Sequence, residues 1–437
     1  MSKTVYFLLF ILLPVAHLKA QLNWQEMKHS QPTESEAQSL LRRILNDPDY
    51  YLGSNAFPSP RTGANSWQDN SGNIFVSSGL GYDRHGSWGL LDDLWKYNPA
   101  NDTWQLLHGE GKALSEFVEN TSTPSPRRNA LTWIDREQSL WLMGGKQFSD
   151  TEYLYDLWKY NTRNNTWVRI SDATKTNVSS VWSKNARNPE PGNIPGSRAA
   201  SATWVDKDGR FWLFGGISRN YAKPSEDLYN DLWMYEPSTM TWTWVAGNNI
   251  ANYKGIFPSK ENPQPPGPSA RSYSAAWYEK EGHKLWLYAG IGIDSTGKDV
   301  GALADLWSYD ITSSTWHFVS GSTKLYARSE GDEDYLSYPG YRSHSITWKD
   351  KNGKFYLYGG QNKVTNNIVD TKTHIWQFDP ALAKWHVLLT DNVPTTIAEG
   401  SAYSDDAGHI VLFGGRKLNR NTSQTYPTNQ LWKINLK

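Results

Sequence analysis

Five times along this chain a tryptophan is followed by another nine residues later: Trp95 and Trp104, Trp158 and Trp167, Trp233 and Trp242, Trp307 and Trp316, Trp376 and Trp385. A sixth first member, Trp432, needs a partner at position 441, whereas the sequence stops at Lys437. A segment of the missing character stands near the start, where Leu-Asn-Trp24-Gln-Glu-Met reads like Asp-Thr-Trp104-Gln-Leu-Leu. A chain that borrows its first segment to complete its last repeat is predicted to close into a ring.

Each repeat has four parts. The first opens with an arginine and reaches an aromatic residue six positions on, as in Arg61 to Trp67, Arg127 to Trp133, Arg198 to Trp204, Arg271 to Trp277 and Arg342 to Trp348. In the sixth repeat Ile397 replaces the arginine and Tyr403 holds the aromatic slot. The second part is an apolar run ending in two small residues, such as Gly144-Gly145, Gly215-Gly216 and Ala289-Gly290. The third reads Asp-Leu-Trp-x-Tyr, intact at Asp93, Asp156, Asp231 and Asp305 and degraded at His374 and Gln430. The fourth is the segment around the second tryptophan.

Short aromatic and apolar runs bounded by Gly, Asn, Asp or Pro read as strands. Turns such as Asp206-Lys-Asp-Gly and Asp350-Lys-Asn-Gly supply the positive φ angles that tight hairpins require. Four antiparallel strands recurring at a spacing near 71 residues (Trp133 to Trp204) describe an all-β, six-bladed β-propeller, closed by an N-terminal strand completing the last blade. The blades are expected at roughly 58–110, 124–172, 195–248, 268–322, 339–390 and 395–437, the last completed by 21–30. The glycine pairs fit places where neighbouring backbone approaches too closely for side chains.

The Gly-Gly doublet after an apolar strand, the downstream Tyr and the outer-strand Trp resemble the kelch repeat, in particular its galactose-oxidase-like branch. The resemblance covers about residues 22–437 and implies the propeller fold; it does not carry a function, because propellers host unrelated activities. Galactose oxidase uses copper and a tyrosine cross-linked to cysteine, and this chain contains no cysteine, so that activity is excluded on chemical grounds. Plant specifier proteins of the kelch family use a Glu-x3-Asp-x3-His iron motif. Asp405 and His409 keep its second spacing, but Ser401 stands where Glu is needed. No cofactor and no metal site is expected.

Residues 1–20 combine Lys3, an apolar stretch of about a dozen residues and a small residue at the exit, the pattern of a secretory signal. A secreted, extracellular protein is expected. The apolar stretch is shorter than the roughly 20 residues a membrane span needs, so membrane insertion is not expected. Absence of cysteine is compatible with secretion in a ring this large, whose core does not depend on disulfides. Sequons at Asn101, Asn120, Asn164, Asn177 and Asn421 lie in expected turns or loops and are candidate glycosylation sites. Formal net charge is zero, which gives no electrostatic footprint for nucleic acid. A monomer is expected.

The connections after the second and fourth strands of each blade emerge on one face. The gap from the outer tryptophan to the next arginine slot is 23 residues after Trp104, 31 after Trp167, 29 after Trp242 and 26 after Trp316, but 12 after Trp385. Long loops on a rigid scaffold concentrate binding residues, so this face is the expected functional surface. Three groups on it are ligand-binding candidates. Arg61, Arg127, Arg198, Arg271 and Arg342 could clamp a carboxylate or sulfate bidentately, or each could pair locally as part of its repeat, which repetition in five blades favours. Of the tryptophans outside the grid, Trp244 reads as packing, whereas Trp88 and Trp182 fall in loops where an indole could stack on a sugar or anchor a protein. Glu330, Asp332, Glu333 and Asp334 could bind Ca²⁺ or simply be a solvated loop. Glu399 is the one acid near the arginine slots, so no paired carboxylates are in view for a hydrolase. The sequence therefore points to a non-enzymatic binding propeller for an extracellular protein or glycan. The alternative is a glycosidase-like carbohydrate-active enzyme with its site in the central pocket.

Overall fold

The computed structural model describes residues 24–27, 36–45, 52–54, 56–116, 121–171, 176–183, 186–187, 189–190, 192–219, 225–258, 265–325, 337–361, 374–388, 394, 396–405, 408–418 and 425–435. Of the seven four-stranded antiparallel sheets among them, one joins Arg61–Thr62, Leu80–Tyr82, Trp88–Leu91 and Ala113–Leu114, and the other six carry the successive repeats. Their innermost strands are Asn65–Gln68, Leu131–Ile134, Ala202–Val205, Ala275–Glu279, Ile346–Lys349 and Ser401–Ser404. Each packs beside the next around a central axis. The circle closes from the last sheet to the first, where the Gln68 amide donates to the Ser404 carbonyl at 2.7 Å and Ser401 Oγ donates to Ser66 Oγ at 2.8 Å.

The outermost strand of the last sheet is Trp24–Met27, paired antiparallel with Leu431–Asn435 in the register Trp24 to Ile434. The expected closure by an N-terminal strand is therefore present. The alternation of burial in that pairing puts Trp24 in the core, against Tyr358 and Ile434. A helix follows at Glu36–Leu45, and its Leu41 packs with Leu52, Tyr426 of the last blade and Tyr82 of the first. Strand and helix together clasp the seam.

The tryptophan grid stitches blade to blade. An inner-strand indole projects from the face of its sheet into the interface and donates to a carbonyl of the next blade: Trp67 to Trp141 at 3.0 Å, Trp133 to Trp212 at 3.0 Å, and Trp277 to Trp348 at 3.1 Å. Its ring lies flat on an aromatic of the next blade, as Trp133 does on Phe211 (5.5 Å, 9°) and Trp277 on Phe355 (5.4 Å, 3°). Such pairs add to what the buried area alone contributes.

The small doublets sit where two blades touch through backbone. Gly144 and Gly145 have φ of 64° and 102°, and the amide of Gly145 donates to the Arg198 carbonyl of the next blade at 2.9 Å. A Cβ on Gly144 would lie 2.5 Å from that same carbonyl oxygen, which excludes a side chain there.

Candidate functional site

The five arginines do not form a ligand clamp. Arg61, Arg127, Arg198 and Arg271 have essentially no exposed surface. Each forms a bidentate pair with the acid of the Asp-Leu-Trp motif in its own blade. The Nη1 distances are 2.5 Å to Asp93, 2.5 Å to Asp156, 2.8 Å to Asp231 and 2.7 Å to Asp305. The same carboxylates accept from the indole two residues on, as Trp233 does to Asp231 at 2.7 Å. Residues i and i+2 share one face of a strand, which is why the motif carries Asp and Trp at that spacing. The remaining guanidinium donors go to carbonyls such as Ser78, Gly144 and Gly215. Arg342 is also buried and donates to the carbonyls of Gly359 and Pro339. Buried charges persist only when paired or hydrogen-bonded; four of these arginines carry an aspartate each and all five donate to nearby carbonyls, so little of their donor capacity is left for a ligand.

The two tryptophans part company. Trp182 leans on Trp233 with ring centroids 6.4 Å apart and packs against the third blade, so it is a packing residue rather than a free platform. Trp88 is 40% exposed, yet it does not lie in an irregular loop. It opens the strand Trp88–Leu91, pairs with Leu80–Tyr82 and rests on the Tyr82 ring at 4.7 Å. Among the sequons, Asn101 and Asn164 are exposed in turns. Asn177 accepts from the Tyr153 amide and donates to the Thr151 carbonyl, which ties its side chain into a loop. Asn120 and Asn421, and the acidic run Glu330, Asp332, Glu333 and Asp334, lie outside the described residues.

A different set of residues gathers at the axis. Two positions beyond each arginine slot the chain turns through the left-handed region, at Gly63, Asn129, Ala200, Tyr273, His344 and Glu399, with φ between 54° and 62°. Five of the six amides donate to the carbonyl of the residue one blade back: Asn129 to Gly63 at 2.9 Å, Ala200 to Asn129 at 2.8 Å, Tyr273 to Ala200 at 2.9 Å, His344 to Tyr273 at 3.2 Å and Glu399 to His344 at 3.1 Å. A backbone collar thus rims the axis, and its six residues line a pocket of about 360 Å³. That volume lies at the lower end of the range for small-ligand pockets.

The collar is regular in backbone and irregular in chemistry. Gly63 and Ala200 leave space, whereas the other four bring polar groups. Asn129 Nδ2 donates to Tyr273 Oη at 3.1 Å across the ring, and the Tyr273 and His344 rings stack at 3.7 Å. Glu399 Oε2 accepts from Thr62 Oγ1 of the first blade and lies 3.1 Å from Arg416 Nε, while Oε1 sits 3.6 Å from His344 Nε2. Burial pushes the Glu399 carboxyl upward, but Arg416, His344 and the Thr62 hydroxyl together outweigh it and hold its pKa below the usual range. Burial, reinforced by the nearby Glu399 charge, pushes the Tyr273 phenol well above its ordinary value, so it is a neutral donor. Below the collar Ser201, Ser274 and Ser345 line the pocket. Among the described residues, Glu399 is the one carboxylate in the lining.

The sequence placed Glu399 near this position but missed Asn129, Tyr273 and His344. Their signal was a fixed offset from the arginines at which every repeat carries a different residue.

Fold and site define a kelch-type β-propeller with an axial pocket. The chain belongs to the Attractin/LZTR1 β-propeller family, whose model matches residues 140–433. The chain is also similar to the solved structure of YjhT, with a TM-score of 0.52 and 15% identity over 86% of this chain and 95% of that one. Likeness at that identity shows the shared fold alone.

Proposed function

We propose that the protein is a secreted kelch propeller, of the galactose-oxidase-like branch, that binds an extracellular glycan through the axial pocket on its long-loop face. The observation that supports this most is the collar: six equivalent positions, two emptied to Gly63 and Ala200 and four carrying Asn129, Tyr273, His344 and Glu399. A lone carboxylate held ionised by Arg416 favours binding over hydrolysis, which calls for two acids flanking the scissile bond. No described helix is long and apolar enough to cross a membrane, and the exposed Asn101 and Asn164 are suited to carry glycans on a secreted surface.

A glycan array probed with the wild-type chain and with Ala200→Tyr tests the location. Equivalent positions already hold Tyr273 and His344, so the variant should keep its melting temperature while its ring fills the pocket and removes the array signal. Trp88→Ala should leave that signal intact, and a panel of aryl glycosides should show no turnover. Undiminished binding by Ala200→Tyr would move the ligand off the axis.

A further inference from the structure

We propose that the axial pocket is built for a neutral, hydroxyl-rich ligand, a sugar ring without an acidic substituent; this rests on reading the pocket as a glycan site. The fold has already used many of the hydrogen-bonding capacities of the pocket lining. Ser201 Oγ donates its proton to the Gly215 carbonyl at 2.8 Å, Ser274 Oγ to Ala289 at 2.8 Å, and Ser345 Oγ to Gly359 at 3.4 Å. A hydroxyl has one proton and two lone pairs, so each of these serines offers the pocket acceptors only. Their donation is dictated by the repeat, because the carbonyls belong to the small doublets that close the blade interface.

Glu399 adds a further acceptor. Its Oε2 is engaged by Thr62, whereas Oε1 has only His344 Nε2 at 3.6 Å, beyond a good hydrogen bond. Tyr273 supplies the balancing donor. Its oxygen already accepts from Asn129, which leaves the phenolic proton without an acceptor among the described residues. The lining thus presents several acceptors, one of them charged, and neutral donors in the Tyr273 phenol and the Ser66 hydroxyl, whose oxygen already accepts from Ser401 and Tyr403.

A carboxylate or sulfate fits this poorly. Such groups have no proton to give, and their oxygens would face serine lone pairs and a like charge at Glu399. An ammonium would satisfy the acceptors, but it cannot accept from Tyr273 and would meet the Arg416 charge beside the same carboxylate. A ring of hydroxyls both donates to Glu399 and the serines and accepts from Tyr273. The selectivity is therefore opposite to that of an arginine clamp, and it arises because the arginines are consumed within their own blades.

Calorimetric titration of the full chain with matched pairs tests this: methyl glucoside against methyl glucuronide, and methyl galactoside against methyl galacturonide. Each pair differs only by oxidation at one carbon. A neutral member should bind at least about tenfold more tightly than its acid, the margin expected from an uncompensated like charge in a partly buried site. Glu399→Gln should weaken the neutral sugar and shrink the neutral-to-acid ratio together. Ser274→Ala, which leaves the Glu399 contacts untouched, should weaken the neutral sugar several-fold while the fold, short of one hydrogen bond to the Ala289 carbonyl, stays cooperative in unfolding. Preferred binding of the acids, or an unchanged ratio in Glu399→Gln, overturns the assignment while leaving a glycan site in place. Failure of every sugar to bind overturns the glycan reading itself, and this assignment with it.

Discussion

The first four blades and the last two differ in what they do with the arginine slot. In the first four, Arg, Asp and Trp form a sealed unit: Arg198 and Asp231 show no exposed side-chain surface, and Trp233 is equally buried. In the fifth the acid is replaced by His374, and in the sixth Ile397 and Gln430 replace both partners. The last two blades are also where His344, Glu399 and Arg416 stand together. Repeats that keep the internal ion pair serve the ring. Those that have lost it are freer to present charge at the axis. A residue found in every blade is thus best read as architecture, and a position that differs in every blade as the place to look for chemistry.

The largest effect expected from this comparison is at the seam. Deleting residues 21–30 removes the closing strand, exposes an unpaired edge and takes away buried Trp24. The loss should exceed the roughly 3 to 5 kcal/mol of truncating a buried Trp, and should appear as a lowered melting temperature or as aggregation. Removal of Lys437 should change neither. Equal stability of the two truncations would deny the strand its closing role.

Next comes the ion pair. Asp231→Ala strands the Arg198 guanidinium in the core and should cost about 3 to 5 kcal/mol in denaturant unfolding. Gln430→Ala, at the matching slot of the sixth blade, loses a hydrogen bond from the amide to Glu26 and should cost about 1 kcal/mol. Similar costs at both positions would mean that the intact and degraded blades are held by the same forces.

The smallest effect concerns acid. Because its contacts hold the Glu399 pKa down in the folded state, this group stabilises the protein above the ordinary glutamate value of about 4.3. That contribution is lost as pH falls through the depressed value. Unfolding midpoints of the wild type and Glu399→Gln, measured at about pH 7, 5 and 3, should converge at the acid end. Parallel curves would show that the Thr62 and Arg416 contacts contribute nothing to the seam.

Most of the fold was legible because its determinants are periodic. The nine-residue tryptophan spacing, the small doublets and the Asp-Leu-Trp motif each reflect one local geometry repeated, and even the closing strand could be read from its likeness to the segment at Trp104. The site was not legible in the same way. Arg61 and its equivalents advertised themselves by repetition, yet their partners at Asp93 and its equivalents lie about 30 residues away in sequence and meet them only across the sheet. Trp182 looked available because a sequence shows a loop without showing what the loop packs on. Asn129, Tyr273 and His344 come together through a ring whose circumference is the whole chain, and no local pattern encodes contact between residues 129 and 273.

The contact between Thr62 and Glu399 spans 337 positions of sequence, so the first blade and the last share one wall of the pocket. On a ribosome the earlier half of that wall exists long before the later half has been made. On the proposed reading of this pocket as a glycan site, binding capacity arises in a single step, when the circle has shut, and a clipped chain would present blades without the full pocket, so ligand occupancy would report a closed ring.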